Sequence, residues 1–146
     1  MNMENLDSAG IPQLFSALRK AGLPCDDVNM ADRQFFRFEL DGVWVAYGGL
    51  EGKGDDLLLR SMVVDDAHRG SGIGTRMLTA LESYAKEHGV ERLHLLTTSA
   101  AAFFTANGYL LQDRGAAPAV IKQTAQFSSL CPSSASYLYK TLSTEY

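Results

Sequence analysis

Apolar positions along the chain alternate between helical and strand periods, and each switch marks an element. Ile11, Leu14, Phe15 and Leu18 recur at helical spacing. Ser8 precedes them as a candidate N-cap, and Gly22 with Pro24 ends the run. Residues 1–6 carry little pattern and are assigned an edge strand, and residues 25–33 are polar, a loop or short helix. Two strand-like runs, 34–40 and 43–50, flank Asp41-Gly42, a strong hairpin signal. Gly48-Gly49 marks a bulge or a close approach of another backbone, and the polar turn 51–56 follows. Residues 57–64 form a nearly continuous apolar run, as a strand buried on both faces does. After a polar turn the period changes again: Ile73, Met77, Leu78, Leu81 and Ala85 fall on one helical face, with Thr75, Arg76, Glu82 and Lys86 opposite. A strand over 92–98 follows, then a helix starting at Ser99 and stopped by Gly108, a strand from Tyr109 to Gln112, a short helix or ordered loop over 118–127, and a last strand over 136–142. The pattern predicts one α/β domain over residues 1–146: an antiparallel meander, then a helical crossover to a parallel strand.

The candidate chemistry lies between the apolar strand and the helix, in Arg69-Gly70-Ser71-Gly72-Ile73-Gly74. The first amides of a helix lack intrahelical partners and carry partial positive charge, so a helix start is an anion cradle. Glycines at positions 72 and 74 let a phosphate come close to those amides. A nucleotide P-loop requires Gly-Lys followed by Ser or Thr, but Thr75 and Arg76 follow Gly74. A dinucleotide fingerprint requires a third glycine or alanine where Thr75 stands, and an acid where Thr97 and Thr98 stand. A helix start with tight glycine packing and no ligand is the bland alternative.

Composition narrows the partners. The chain has 146 residues, 46% of them hydrophobic and 21% charged, as in a folded globular protein. Its net charge of −4 gives a nucleic-acid partner no general electrostatic support. No apolar run is long enough for a membrane helix, and the first residues do not form a secretion signal. Cys25 and Cys131 are far apart and read as free thiols of a reducing cytoplasm, and with His68, His88 and His94 they make no metal-ligand spacing.

Arg69-x-x-Gly72-x-Gly74 after a strand, flanked by Val64, Ile73 and Leu78, resembles the acyl-CoA motif of the GNAT N-acetyltransferases. Gly49-Leu50-Glu51, DLLLRSMVV over 56–64, LLTT over 95–98 and TAQFSSLCPSSA over 124–135 resemble the arsenic-resistance-associated subgroup, over residues 10–142. The resemblance implies an α/β GNAT fold: a mixed, mostly antiparallel sheet of six or seven strands flanked by helices, with a splayed central strand pair. It implies acetyl-CoA as cosubstrate, no metal, and direct transfer in a ternary complex to the primary amine of a small molecule, such as an anionic amino acid or an analogue bearing arsenic or phosphorus. A cytoplasmic monomer or homodimer, with no nucleic-acid or membrane partner, is expected. Two rivals stand beside it: a catalytically weak acyl-CoA-binding sensor, and a protein N-acetyltransferase.

By the same resemblance, Met62, Val63 and Val64 meet the pantetheine and the thioester oxygen, while Arg69, Gly70, Ser71, Gly72, Ile73, Gly74 and Thr75 hold the pyrophosphate. The family's acid is a tyrosine five positions before the aromatic residue that closes the next helix. Here that aromatic is Tyr109, so the position is Phe104, which has no proton to donate and otherwise reads as core packing. Ser61 is then a candidate acid, beside water. Arg60 interrupts an apolar strand and needs a carboxylate, a carbonyl or a ligand. Either it pairs internally with Glu51 or Asp56, or it holds an anionic group of the acceptor. Glu51 is a candidate base, otherwise a solvated turn residue, and Asp55-Asp56 reads as a turn.

Overall fold

The computed structural model describes residues 1–27, 31–130 and 134–142. Cys131 lies outside them. One seven-stranded sheet carries the molecule, in the order β1-β2-β3-β4-β5-β7-β6. The strands are β1 (Asn2–Asn5), β2 (Arg33–Leu40), β3 (Val43–Glu51), β4 (Asp56–Val64), β5 (Arg92–Thr97), β6 (Leu110–Gln112) and β7 (Ser136–Thr141). All neighbours pair antiparallel except β4 and β5, which are parallel. This is the mixed, mostly antiparallel sheet expected. The helices are α1 (Ile11–Lys20), α2 (Ile73–Glu87), α3 (Ala101–Ala106) and α4 (Ala119–Lys122).

The β2–β3 hairpin forms at Asp41-Gly42, where both residues have positive φ, 53° and 79°, as a tight two-residue turn requires. Helix α2 buries Ile73, Met77, Leu78, Leu81 and Ala85, the five positions its periodicity marks. They pack with Phe36, Phe38, Leu57, Leu59, Leu93 and Leu95 in the larger core. The opposite sheet face is covered by α1, through Leu14 and Leu18 against Phe35 and Tyr47, and by α4, through Ile121 against Leu58 and Tyr137.

Three local expectations need correction. Ser8 does not cap α1: it opens a short 3-10 turn, Ser8–Gly10, whose cap is Asp7, accepting from the Ala9 amide. The helix expected from Ser99 begins two residues later, at Ala101, and the Thr97 hydroxyl accepts from the Ala100 amide at 2.9 Å. Asp56 is no turn residue: it opens β4 and binds Arg92 and His94.

The Gly48-Gly49 pair admits neighbouring side chains most closely, rather than another backbone, and the extra residue of the bulge lies on β4 across from it. A β-carbon on Gly48 would come within 2.8 Å of Leu81, and one on Gly49 within 2.6 Å of Phe35. Tyr47 pairs with Val63 and Gly49 with Arg60, so Gly48 alone faces two residues of β4, Ser61 and Met62. The extra residue reverses the side-chain alternation. Leu57 and Leu59 face the α2 core before the bulge, and Met62 and Val64 after it, while Val63 joins the α1 side.

Candidate active site

The parallel pairing of β4 with β5 covers only Asp56–Leu58 against Arg92–His94. Beyond Leu58 the strands diverge, as the splayed central pair requires. A cavity of about 640 Å³ occupies the divergence, within the range of small-molecule sites. Its walls are Leu59 to Val64 on β4 and Leu95 to Thr97 on β5, with Phe103 and Phe104 from α3. Its mouth is the turn entering α2, with Arg69, Gly70, Gly72, Ile73, Gly74 and Thr75. Arg60, His68 and Arg69 line the cavity; among the described residues no carboxylate does.

At the mouth, Gly72 is the N-cap of α2 with φ +83°, and no side chain caps the helix. The first-turn amides therefore face outward without a side-chain partner, as an anion cradle needs. The two glycines serve different ends. A β-carbon on Gly72 would meet nothing within 4 Å, so this position is open to a ligand. A β-carbon on Gly74 would lie 3.3 Å from Cζ of Phe103, so a side chain here would press on the α3 ring. Ser71 does not line the cavity; its hydroxyl donates to the His68 carbonyl. Arg69 is exposed at the mouth, its Nε 3.2 Å from Asp66.

At the inner end, Phe104 lines the cavity and also joins the core, its ring set edge-on against Phe103 and Tyr109. Tyr109 cannot replace the missing phenol: its hydroxyl donates to Glu82 at 2.9 Å, and burial with the adjacent carboxylate drives its pKa far up. Ser61, the bulge residue, lines the cavity with φ +61°, a left-handed conformation that costs a non-glycine residue roughly 1–2 kcal/mol.

Arg60 lies on the opposite sheet face, and both internal and external roles were open to it. Its side chain is wholly buried. Nη2 and Nη1 donate to Asp27 Oδ1 and Oδ2, each at 2.6 Å; Nη1 also reaches Glu51 at 2.9 Å, and Nε donates to Ser61 Oγ at 3.1 Å. Phe35 lies 5.6 Å beneath the guanidinium. Arg33 completes the group, 3.0 Å from Asp27 and 3.3 Å from Glu51. Two arginines and two carboxylates thus neutralise one another in the interior. Burial raises the Asp27 pKa, but Arg60 and Arg33 outweigh it and hold the carboxyl below the ordinary range. Burial opposes the Arg60 charge, and Asp27 and Glu51 reverse that. The Arg60 fork is therefore satisfied within the protein, and both Glu51 oxygens already carry an arginine. Glu51 is a buried strand residue rather than a solvated turn, and it stands outside the cavity lining. Asp56, the other partner considered for Arg60, is engaged elsewhere.

Asp27 was not singled out from the sequence. The only signal was Arg60 itself, whose burial demands a carboxylate without saying which. A second buried group also escaped notice: Asp56 accepts from His94 Nε2 at 2.7 Å, and His94 Nδ1 lies 2.7 Å from the Tyr137 hydroxyl. A carboxylate can only accept, so Nε2 carries the proton and Nδ1 accepts from Tyr137. Among the described residues, no cluster of histidine, cysteine or carboxylates could hold a metal, and no helix is long and apolar enough to cross a membrane.

Comparison with known proteins agrees with this geometry. A 57-residue segment, 39% of the chain, is 40% identical to mouse (Mus musculus) N-alpha-acetyltransferase 80, but covers 18% of that protein. The fold of Tetrahymena GCN5 superposes with a TM-score of 0.79 over 100% of this chain and 99% of that one, at 11% identity. N-acetylglutamate synthase from Neisseria gonorrhoeae, solved with coenzyme A and N-acetyl-glutamate, superposes with a TM-score of 0.75 at 16% identity, over 99% of this chain and 36% of the longer one. The profile of the Acetyltransferase (GNAT) family matches residues 10–109. With that match over more than half of its length, and with an uncapped glycine turn and a splayed parallel pair where they were expected, the chain belongs to the GNAT family of acetyltransferases.

Proposed function

We propose that the chain transfers the acetyl group of acetyl-CoA to the primary amine of a small molecule, directly and within a ternary complex. The observation that supports this most is the continuity of the cavity, from the uncapped helix start at Gly72 to the strand bulge at Ser61. Arg69, exposed at the mouth, is the cation placed to meet the phosphates of coenzyme A. The pyrophosphate sits on the turn of Arg69 to Thr75, with Ser71 bracing the turn through His68. The pantetheine arm runs into the splay beside Met62, Val63 and Val64, and the thioester lies near Ser61 and Phe104.

The amine attacks as its neutral form, after the ammonium has lost one proton. A C–N bond forms at the acetyl carbon, the C–S bond breaks, and its electron pair leaves on sulfur. The nitrogen sheds a second proton and the thiolate takes one up, so one proton is released overall. Ser61 is the hydroxyl assigned to the leaving sulfur. Glu51 acts only through water, because its oxygens are held by Arg33 and Arg60. The acceptors to try first are amino acids bearing a second anionic group, whether carboxylate, phosphinate or arsenate.

The test is thiol release from acetyl-CoA with L-glutamate, a phosphinate amino acid, an arsenic-containing amino acid, an aminoglycoside, a polyamine and an N-terminal peptide. Turnover confined to a small amine supports the reading, and turnover confined to the peptide replaces it with protein acetylation. Phe104 favours one rival, an acyl-CoA-binding sensor; acetyl-CoA binding with no thiol release for any acceptor would establish it.

A further inference from the structure

Ser61 poses a question that the fold alone does not answer. A bulge residue at φ +61° is least strained as glycine, so a serine here retains a side chain against a backbone preference. That side chain is buried, lines the cavity and accepts one hydrogen bond, from Arg60 Nε at 3.1 Å. The oxygen is thus held from behind by a cation, and the O–H is left to donate. Arg60 in turn cannot pivot: both terminal nitrogens are taken up by Asp27 at 2.6 Å, with Glu51 on the outer edge of Nη1. Asp27 belongs to the segment between α1 and β2, 33 residues from Arg60, and Arg33 ties it to β2 as well.

We infer that Asp27 is a positioning residue of the acetyl-transfer site, locking the Arg60 guanidinium so that its Nε–H aims the Ser61 hydroxyl at the leaving sulfur of coenzyme A. The inference rests on the acetyl-CoA reading above. A two-point carboxylate–guanidinium contact fixes the plane of the fork, which a single contact does not. Without Asp27, Arg60 would turn toward Glu51, its Nε would leave Ser61, and the hydroxyl would find other partners. The buried charges would then do more than fill the interior: they relay geometry from the loop after α1 to the reacting atom.

The test needs no acceptor, only coenzyme A. Its thiol is titrated in the bound state through the ultraviolet absorbance of the thiolate, at saturating coenzyme A. A hydroxyl donating to sulfur favours the thiolate, so the bound thiol should ionise at lower pH in the wild type than in Ser61→Ala. The expected difference is about one pH unit, a tenfold change in thiolate fraction at fixed pH. Asp27→Asn should reproduce most of that shift, and the Asp27→Asn/Ser61→Ala double variant should shift no further than Ser61→Ala. Affinity for coenzyme A well below the thiol's titration should stay unchanged in Asp27→Asn, since Asp27 lies outside the cavity lining. If Asp27→Asn fails to fold, Arg60→Lys serves instead, since it keeps the charge but has no Nε to reach Ser61. A thiol that titrates as in the wild type in the Asp27 or Arg60 variant overturns the inference, and so do additive shifts in the double variant. Failure of the wild type to bind coenzyme A overturns the acetyl-CoA reading itself, whereas binding with an insensitive thiol overturns the positioning role alone.

Discussion

A β-carbon on Gly74 would stand 3.3 Å from Cζ of Phe103, while one on Gly72, two residues earlier, would stand in open space. The two glycines of one motif should therefore fail differently. Gly74→Ala should act through its contact with Phe103, so its shift in melting temperature should become more favourable in a Phe103→Leu background. Gly72→Val leaves the core untouched but strains the turn by about 1–3 kcal/mol and covers the amides. Calorimetry should find acetyl-CoA affinity reduced strongly in the folded Gly72 variant. Unchanged affinity there would remove the pyrophosphate from this turn.

Phe104 stands where a phenol is expected, and it is both wall and core. Phe104→Ala should destabilise by about 3–5 kcal/mol through the cavity it leaves. The pH profile of turnover should show no limb that vanishes on tyrosine replacement. Tyr109→Phe in particular should cost stability, by loss of its bond to Glu82, without moving that profile. A limb lost in any single tyrosine variant would identify a displaced acid.

The quartet of Asp27, Glu51, Arg33 and Arg60 is more costly to break than to replace. Arg60→Met leaves two buried carboxylates facing one arginine and should cost about 3–5 kcal/mol in denaturant unfolding. Combining it with Asp27→Leu, which removes the orphaned charge, should recover part of that loss. The double-mutant cycle should therefore return a favourable coupling between positions 27 and 60. Strict additivity would mean that the pair contributes nothing as a pair.

His94 gives the protein an acid-sensitive interior. Burial depresses its pKa below the ordinary 6.5, against the pull of Asp56. Unfolding lets the imidazole take up a proton that the fold resists, so the unfolded state binds more protons and stability falls as pH drops below 6.5. Asp27 and Asp56 extend the same trend to lower pH. Burial raises both carboxyls, but their cationic partners outweigh it and leave them below the ordinary 3.8, so their contribution is lost as pH falls through the folded values. Chemical denaturation across this range should show His94→Gln flattening the slope just below 6.5 and Asp27→Asn flattening it below 3.8. A parallel slope in the His94 variant would assign the upper window to another group.

What could be read along the chain is what neighbouring residues decide among themselves. The spacing of Ile73, Met77, Leu78, Leu81 and Ala85 is a helical face whatever it packs against, and all five are buried. Asp41-Gly42 turns a hairpin by its own backbone preferences, and the glycine turn before α2 opens the helix with no side-chain cap. The tertiary structure decided the rest. It placed β7 between β5 and β6, and Phe103 on Gly74. It put the strand bulge at Ser61, where one residue of β3 faces two of β4. It chose Asp27 over Asp56 for Arg60 and sent Asp56 to Arg92 and His94. The reason is physical: periodicity and turn preference act over a few bonds, so they leave a trace in the order of residues. A buried guanidinium announces only that it needs a counter-charge, and which carboxylate answers depends on where the chain comes back over a separation of 33 positions.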